Sequence, residues 1–153
     1  MASLNYDDIY SSLFTKIEAY DFIDLSEEEL DEFLCNWLRS AATNPYVRKL
    51  FSTVVFDDEI SELNYEMKYV VDEESDRDFV IEVLSLGMAI NWLKPKIHSI
   101  TNITQFFGSK DEKWYSQASH LSELRGLLDD FKKQQRRMIA DRGYIWNSYL
   151  DGE

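Results

Sequence analysis

From residue 114 to residue 138 the chain places Trp114, Gln117, Leu121, Leu124, Leu128, Phe131, Gln135 and Met138 at spacings that alternate between three and four without a fault. Only an α-helix returns side chains to one face at that interval, and an unbroken repeat of this kind is a seam that packs lengthwise on another helix. The pattern predicts a long helix from about Glu112 to Arg142, which at ~1.5 Å per residue spans about 45 Å. The whole chain has 153 residues, about one domain. A helix of that length exceeds what one compact domain needs, so a bundle role and contact of one end with a neighbouring subunit both stay open.

Other segments carry their own helix signals. Ile9, Leu13 and Ile17 predict a first helix over Tyr6 to Ile17, followed by a loop over Tyr20 to Leu25. Ser26 with Glu29 three residues on is a capping box, and Glu27 and Glu28 suit the positive end of a helix dipole. Leu30, Phe33, Leu34, Trp37, Leu38 and Ala41 then form an apolar stripe that Asn44-Pro45 should end. A third helix is expected from about Arg77 to Ile97, capped by Ser75 or Asp76. Phe79, Val80, Val83, Leu84, Leu86, Met88, Ile90, Trp92 and Leu93 cover more than one of its sides, which belongs to the middle of a bundle. Gly87 suggests a close helix crossing, Pro95 a kink or an end, and Gly108 a break after a turn through Thr101 to Phe107.

Residues 51–72 differ. Phe51 to Phe56 is rich in β-branched and aromatic residues, and Tyr65, Met67, Tyr69 and Val71 alternate with Glu66, Lys68 and Val70. The expected fold is mainly α: a helical bundle with one long C-terminal helix and a small β-hairpin or extended excursion around residues 51–72. With 5 glycines and 2 prolines the chain has few turn signals for an all-β sandwich. Gly143 should stop the long helix. That gives a single helical domain over 1–143 and an aromatic tail over 144–153.

Charge narrows the function. The net charge is −13, but residues 1–90 hold 6 basic and 21 acidic side chains (net −15) and residues 91–153 hold 10 and 8 (net +2). Phosphate backbones are bound through Lys and Arg, so tight nucleic-acid binding by the first ninety residues is not expected. Lys132, Lys133, Arg136, Arg137 and Arg142 form a basic patch at the end of the long helix. Favourable interaction with the negative end of the dipole is one explanation, helped by an Asp129–Lys133 pair. The other is subunit contact, with Lys132, Lys133, Arg136 and Arg137 meeting the acidic half of an adjacent copy. The tail carries Tyr144, Ile145, Trp146, Tyr149 and Leu150, residue types suited either to packing back on the domain or to docking on a partner.

No catalytic constellation is legible. The glycines at 87, 108, 126, 143 and 152 form neither GxGxxG nor a P-loop. His98, His120 and the single Cys35 make no zinc pattern. Asp72-Glu-Glu-Ser-Asp76 begins like a calcium loop, but Arg77 stands where glycine is required and Val83 where the bidentate glutamate belongs. Cys35 has no internal disulfide partner and reads as an inert thiol. The expectation is a non-enzymatic protein without metal or cofactor. Met1 to Tyr10 is unlike a signal peptide, and the longest apolar run, Val83 to Leu93, falls short of the ~18 residues of a membrane span. A soluble chain made without export, with no membrane contact, is expected.

The segments Leu86-Gly-Met88, Trp92-Leu-Lys-Pro-Lys-Ile97, Ser99, Asn102, Gln105-Phe106, Gly108, Lys110-Asp111, Tyr115-Ser-Gln-Ala118 and His120-Leu121 resemble a group of small proteins from tailed bacteriophages of Gram-positive hosts. Asp21-Phe-Ile-Asp-Leu-Ser-Glu-Glu-Glu-Leu30 adds a fainter likeness. These proteins look like head–tail connectors, also called neck or adaptor proteins. The likeness covers about a third of the chain and does not extend over residues 51–72 or past Gly126. It implies a virion structural protein made in the host cytoplasm and placed at the head–tail junction. Its partners would be further copies of itself in a ring, commonly of twelve, the portal protein above, and neighbouring neck or tail proteins. The genome would pass through the channel without tight binding, past a repulsive acidic lining. The alternative from another class is an acidic inhibitor that mimics DNA.

Overall fold

A central helix explains most of the architecture. The computed structural model describes residues 1–17, 25–107 and 112–145, with side chains over 1–17, 25–99 and 119–143. In chain order it contains β1 (Ala2–Asn5), α1 (Tyr6–Phe14), α2 (Glu27–Thr43), α3 (Pro45–Arg48), β2 (Phe51–Asp57), β3 (Glu62–Met67), α4 (Glu73–Phe107) and α5 (Glu112–Ile145). The fold is mainly α, as expected. Every residue of α4 from Val83 to Ile90 is buried. That all-round burial is what an apolar surface on several sides requires, and α1, α2 and α5 all pack on α4.

The seam of α5 meets α4. Leu124, Phe131, Gln135 and Arg142 are buried, and Leu121, Leu128 and Met138 are half-buried along the same seam. The pairing is antiparallel: Gln135 Nε2 donates to the Val83 carbonyl at 3.0 Å, and Arg142 reaches Asp76 near the start of α4. Trp114 and Gln117 of the predicted seam lie outside the described side chains. Gly87 sits at a helix crossing; a Cβ there would stand 2.7 Å from the Ala41 Cβ of α2.

Ser26 caps α2 as read, with both halves of the capping box formed. Leu34, Leu38, Ala41 and Ala42 are buried, but Phe33 is 47% exposed. Its ring lies beside Trp37 on the rim of the stripe. Asn44 both ends α2 and caps α3, whose first residue is Pro45.

Several boundaries depart from the sequence reading. α4 begins at Glu73 rather than Arg77, because Asp72 takes the capping position: its carboxylate accepts from the Ser75 N–H at 2.7 Å and the Ser75 hydroxyl at 3.0 Å. Asp76 is thereby released for the ion pair with Arg142. Pro95 neither ends α4 nor precedes a turn at Thr101; the helix runs to Phe107. Pro95 is exposed, so solvent can reach the helix where the proline removes a donor. The break at Gly108 and most of the loop over Tyr20 to Leu25 lie outside the described residues. α1 stops at Phe14, three residues short of the expected end, and Gly143 does not stop α5, which continues to Ile145.

The excursion at 51–72 is a true hairpin. β2 and β3 pair antiparallel, with Val54 opposite Tyr65 and Phe56 opposite Leu63 and an irregularity between Phe51 and Thr53. β1 adds to the other side of β3, Leu4 opposite Leu63, to give the order β1-β3-β2. The four residues of β1 are too few to show a period. β3 ends at Met67, so Tyr69 and Val71 do not continue the alternation; they leave the sheet and are exposed. Leu4, Phe51, Leu63, Tyr65 and Met67 join the same core as the helices.

Candidate functional site

The helix seam that binds α5 to α4 leaves another face of α5 turned toward α3. Lys132, Arg136, Ile139 and Gly143 recur along α5 at three or four residues and therefore share that face. Together with Lys49 after α3 and Ile90 and Lys94 of α4 they line an open groove of about 660 Å³. Buried Ile90 and Gln135 lie at its base; Lys49, Lys94 and Arg136 are exposed and Lys132 is half-buried. Among the described residues no Asp or Glu lines it. Lys49 lies 5.3 Å from the centre of the Tyr46 ring, itself 67% exposed at the groove's edge. Lys94, Lys132 and Arg136 have no carboxylate partner among the described residues.

This arrangement removes the simplest explanation of the basic patch. Helix-dipole stabilisation fades beyond the last turn, and only Arg142 lies in the last turn of α5. Lys132–Arg136 and Lys133–Arg137 are like-charged pairs four apart, each unfavourable by about 0.2–0.5 kcal/mol on an isolated helix. The favourable Asp129–Lys133 and Arg137–Asp141 spacings offset those penalties, so helix stabilisation does not by itself account for the cluster. The cluster concentrates positive potential where an anionic group can enter.

The predicted residues are divided by the fold. Lys132 and Arg136 line the groove, whereas Lys133 and Arg137 are exposed and do not. Arg142 is no surface cation: its side chain is 9% exposed and is held by Asp76, by the Tyr69 carbonyl and by the Phe79 ring. Lys49 and Lys94, far away in sequence, complete the groove. Nothing in their neighbourhoods marks them; they come together only once α4 and α5 are in register. Of the tail residues, Trp146, Tyr149 and Leu150 lie outside the described residues, and the side chains of Tyr144 and Ile145 do too.

Other polar clusters are structural. The Tyr6 hydroxyl donates to Asp58 at 2.7 Å, and Arg39 pairs with the same carboxylate. Those partners hold the Asp58 carboxyl below the ordinary carboxylate range, Tyr6 foremost. Burial and the same hydrogen bond push the Tyr6 phenol up. Cys35 lies 3.4 Å from the Tyr10 hydroxyl. Burial pushes its thiol up against the opposing effect of that contact, which favours the unreactive protonated form. His98 and His120 are exposed. Among the described residues no group of His, Cys, Asp or Glu could hold a metal ion, and no helix is long and apolar enough to cross a membrane. Comparison with known protein families, curated proteins and solved structures returns no match to this chain.

Proposed function

We propose that the chain is a structural virion subunit, a head–tail connector that forms a ring beneath the portal and links the DNA-filled head to the tail. The observation that carries this reading is the cationic groove on a subunit of net charge −13. A molecule with one concave cationic surface and carboxylates exposed on α2, the hairpin and the start of α4 presents two different complementary patches. Contacts between unlike patches are head-to-tail, and such contacts close into rings when the rotation permits. The acidic remainder would keep a passing genome from adhering. Tyr144, Ile145, Trp146, Tyr149 and Leu150 are proposed to dock on the portal or a neighbouring neck protein.

The DNA-mimic alternative is weaker. Pairing with Lys16, Arg39 and Arg77 withdraws Glu82, Asp58 and Asp8 from such a role, and a DNA mimic gives the cationic groove no use. The test mixes the purified chain with the portal of its own particle and images the product by electron microscopy, using the full chain and a form ending at Ile145. Portal-bound rings with the full chain and none with the shortened form are expected. A chain that never joins the portal would reject the connector reading, and unchanged joining by the shortened form would reject docking by residues 146–153.

A further inference from the structure

The groove is cationic at its rim and apolar at part of its base, so its occupant should combine a carboxylate with an aliphatic side chain. The turn between β2 and β3 has that composition. It runs from Asp58 to Ser61 and exposes Glu59 and Ile60, the latter 58% exposed. A single exposed isoleucine means little by itself. This one stands on a turn pinned at several points. Asp58 is held by Tyr6 and Arg39, the Glu59 N–H donates to the Asp57 carboxylate at 3.2 Å, and the Ser61 carbonyl accepts from the Tyr6 N–H at 2.9 Å. Ser61 adopts a positive φ of 54°, a conformation that few non-glycine residues take up. A turn so constrained loses little freedom when it docks, and Glu59 has no side-chain partner among the described residues.

We propose that the Glu59–Ile60 turn of one copy inserts into the groove of the next, with Glu59 meeting Lys132 and Arg136 and Ile60 resting on Ile90 and Ile139. This specifies the subunit contact and rests on the ring-forming reading above. The turn does not reach its own groove. β2 has seven residues and separates the turn from Lys49 by about 20 Å at ~3.3 Å per residue, so the contact is between copies and head-to-tail. Net repulsion between two acidic subunits does not forbid it, because exposed charges beyond a Debye length of about 8 Å are largely screened at physiological salt.

The test measures self-association of the full chain by sedimentation and native mass spectrometry. Its variants are Glu59→Lys, Lys132→Glu with Arg136→Glu, and the two sets combined; circular dichroism checks that each is folded. Each set alone should weaken association at least tenfold, and combining them should restore much of it. In a Cys35→Ser background, Ile60→Cys with Ile139→Cys should give intermolecular disulfides, and either cysteine alone should not. Association unchanged in both charge variants, with no cross-link, overturns the turn-in-groove contact while leaving portal-bound rings untouched. A chain monomeric at every concentration and free of cross-links overturns it too. Retention of duplex DNA by the full chain, abolished by Lys132→Glu with Arg136→Glu, would overturn it in favour of a phosphate contact.

Discussion

Arg142 Nη2 lies 2.6 Å from Asp76 Oδ1, with side chains only 9% and 7% exposed, and this ion pair ties the end of α5 to the first turn of α4. The Asp76 carboxylate also accepts from the Val71 N–H at 3.3 Å, while Arg142 donates to the Tyr69 carbonyl at 2.7 Å. The segment entering α4 is therefore fixed by the same two side chains. Arg142→Met should lower unfolding stability by about 3–5 kcal/mol, because it strands a buried carboxylate. Adding Asp76→Leu should recover part of that loss. Urea denaturation checks both, and a fall in the single variant well under 1 kcal/mol would contradict the burial of the pair.

Two glycines within helices should respond oppositely to alanine. At Gly87 the new Cβ meets Ala41 Cβ at 2.7 Å and Gln135 Nε2 at 3.2 Å. Overpacking of that kind costs about 1–3 kcal/mol, more than the ~1 kcal/mol gained in helix propensity. Among the described residues Gly126 meets nothing within 4 Å, so Gly126→Ala should stabilise by about 0.5–1 kcal/mol. Thermal melts of the two variants should shift in opposite directions.

Asp58 makes stability depend on acid. Its carboxyl is held below the ordinary value by Tyr6 and Arg39, so its contribution is complete above the unfolded value of ~3.9 and disappears as pH falls through the lower folded value. The side chain is half exposed, so screening keeps the effect small. Asp58→Asn should be less stable than the parent at pH 7, and the gap should close as pH drops below about 4. Urea midpoints measured across that range test it; a gap that widens in acid would reverse the sign.

The Cys35 thiol should react slowly while the chain is folded. Burial raises it above the ordinary thiol range, and the thiolate is the reactive form. At pH 8 a thiol-specific chromophore should label native protein roughly tenfold or more slowly than denatured protein. Tyr10→Phe removes the contact that lowers the thiol and should not accelerate labelling through ionisation. Equal rates for folded and unfolded chain would mean the thiol is open.

Local rules acting within a few residues were legible beforehand. The Ser26–Glu29 capping box, the α5 seam, the β-branched run of β2 and the apolar breadth of α4 all follow from spacing and side-chain type, because each is satisfied by neighbours along one helix or strand. Where two local signals competed, packing chose. Asp72 displaced Asp76 and Ser75 as the cap of α4, and Pro95 and Gly143 failed to end helices that the core and the Arg142–Asp76 pair hold in place.

The sequence by itself determined the helical class, the acidic excess and the basic end of α5, since composition and period need no partner segment. Only the tertiary structure decided which cations act together. Antiparallel registration of α5 on α4, with α3 alongside, gathers Lys49, Lys94, Lys132 and Arg136 and withdraws Arg142 into the interior. A surface made by side chains from separate elements is a property of their packing, and no window along the chain contains it.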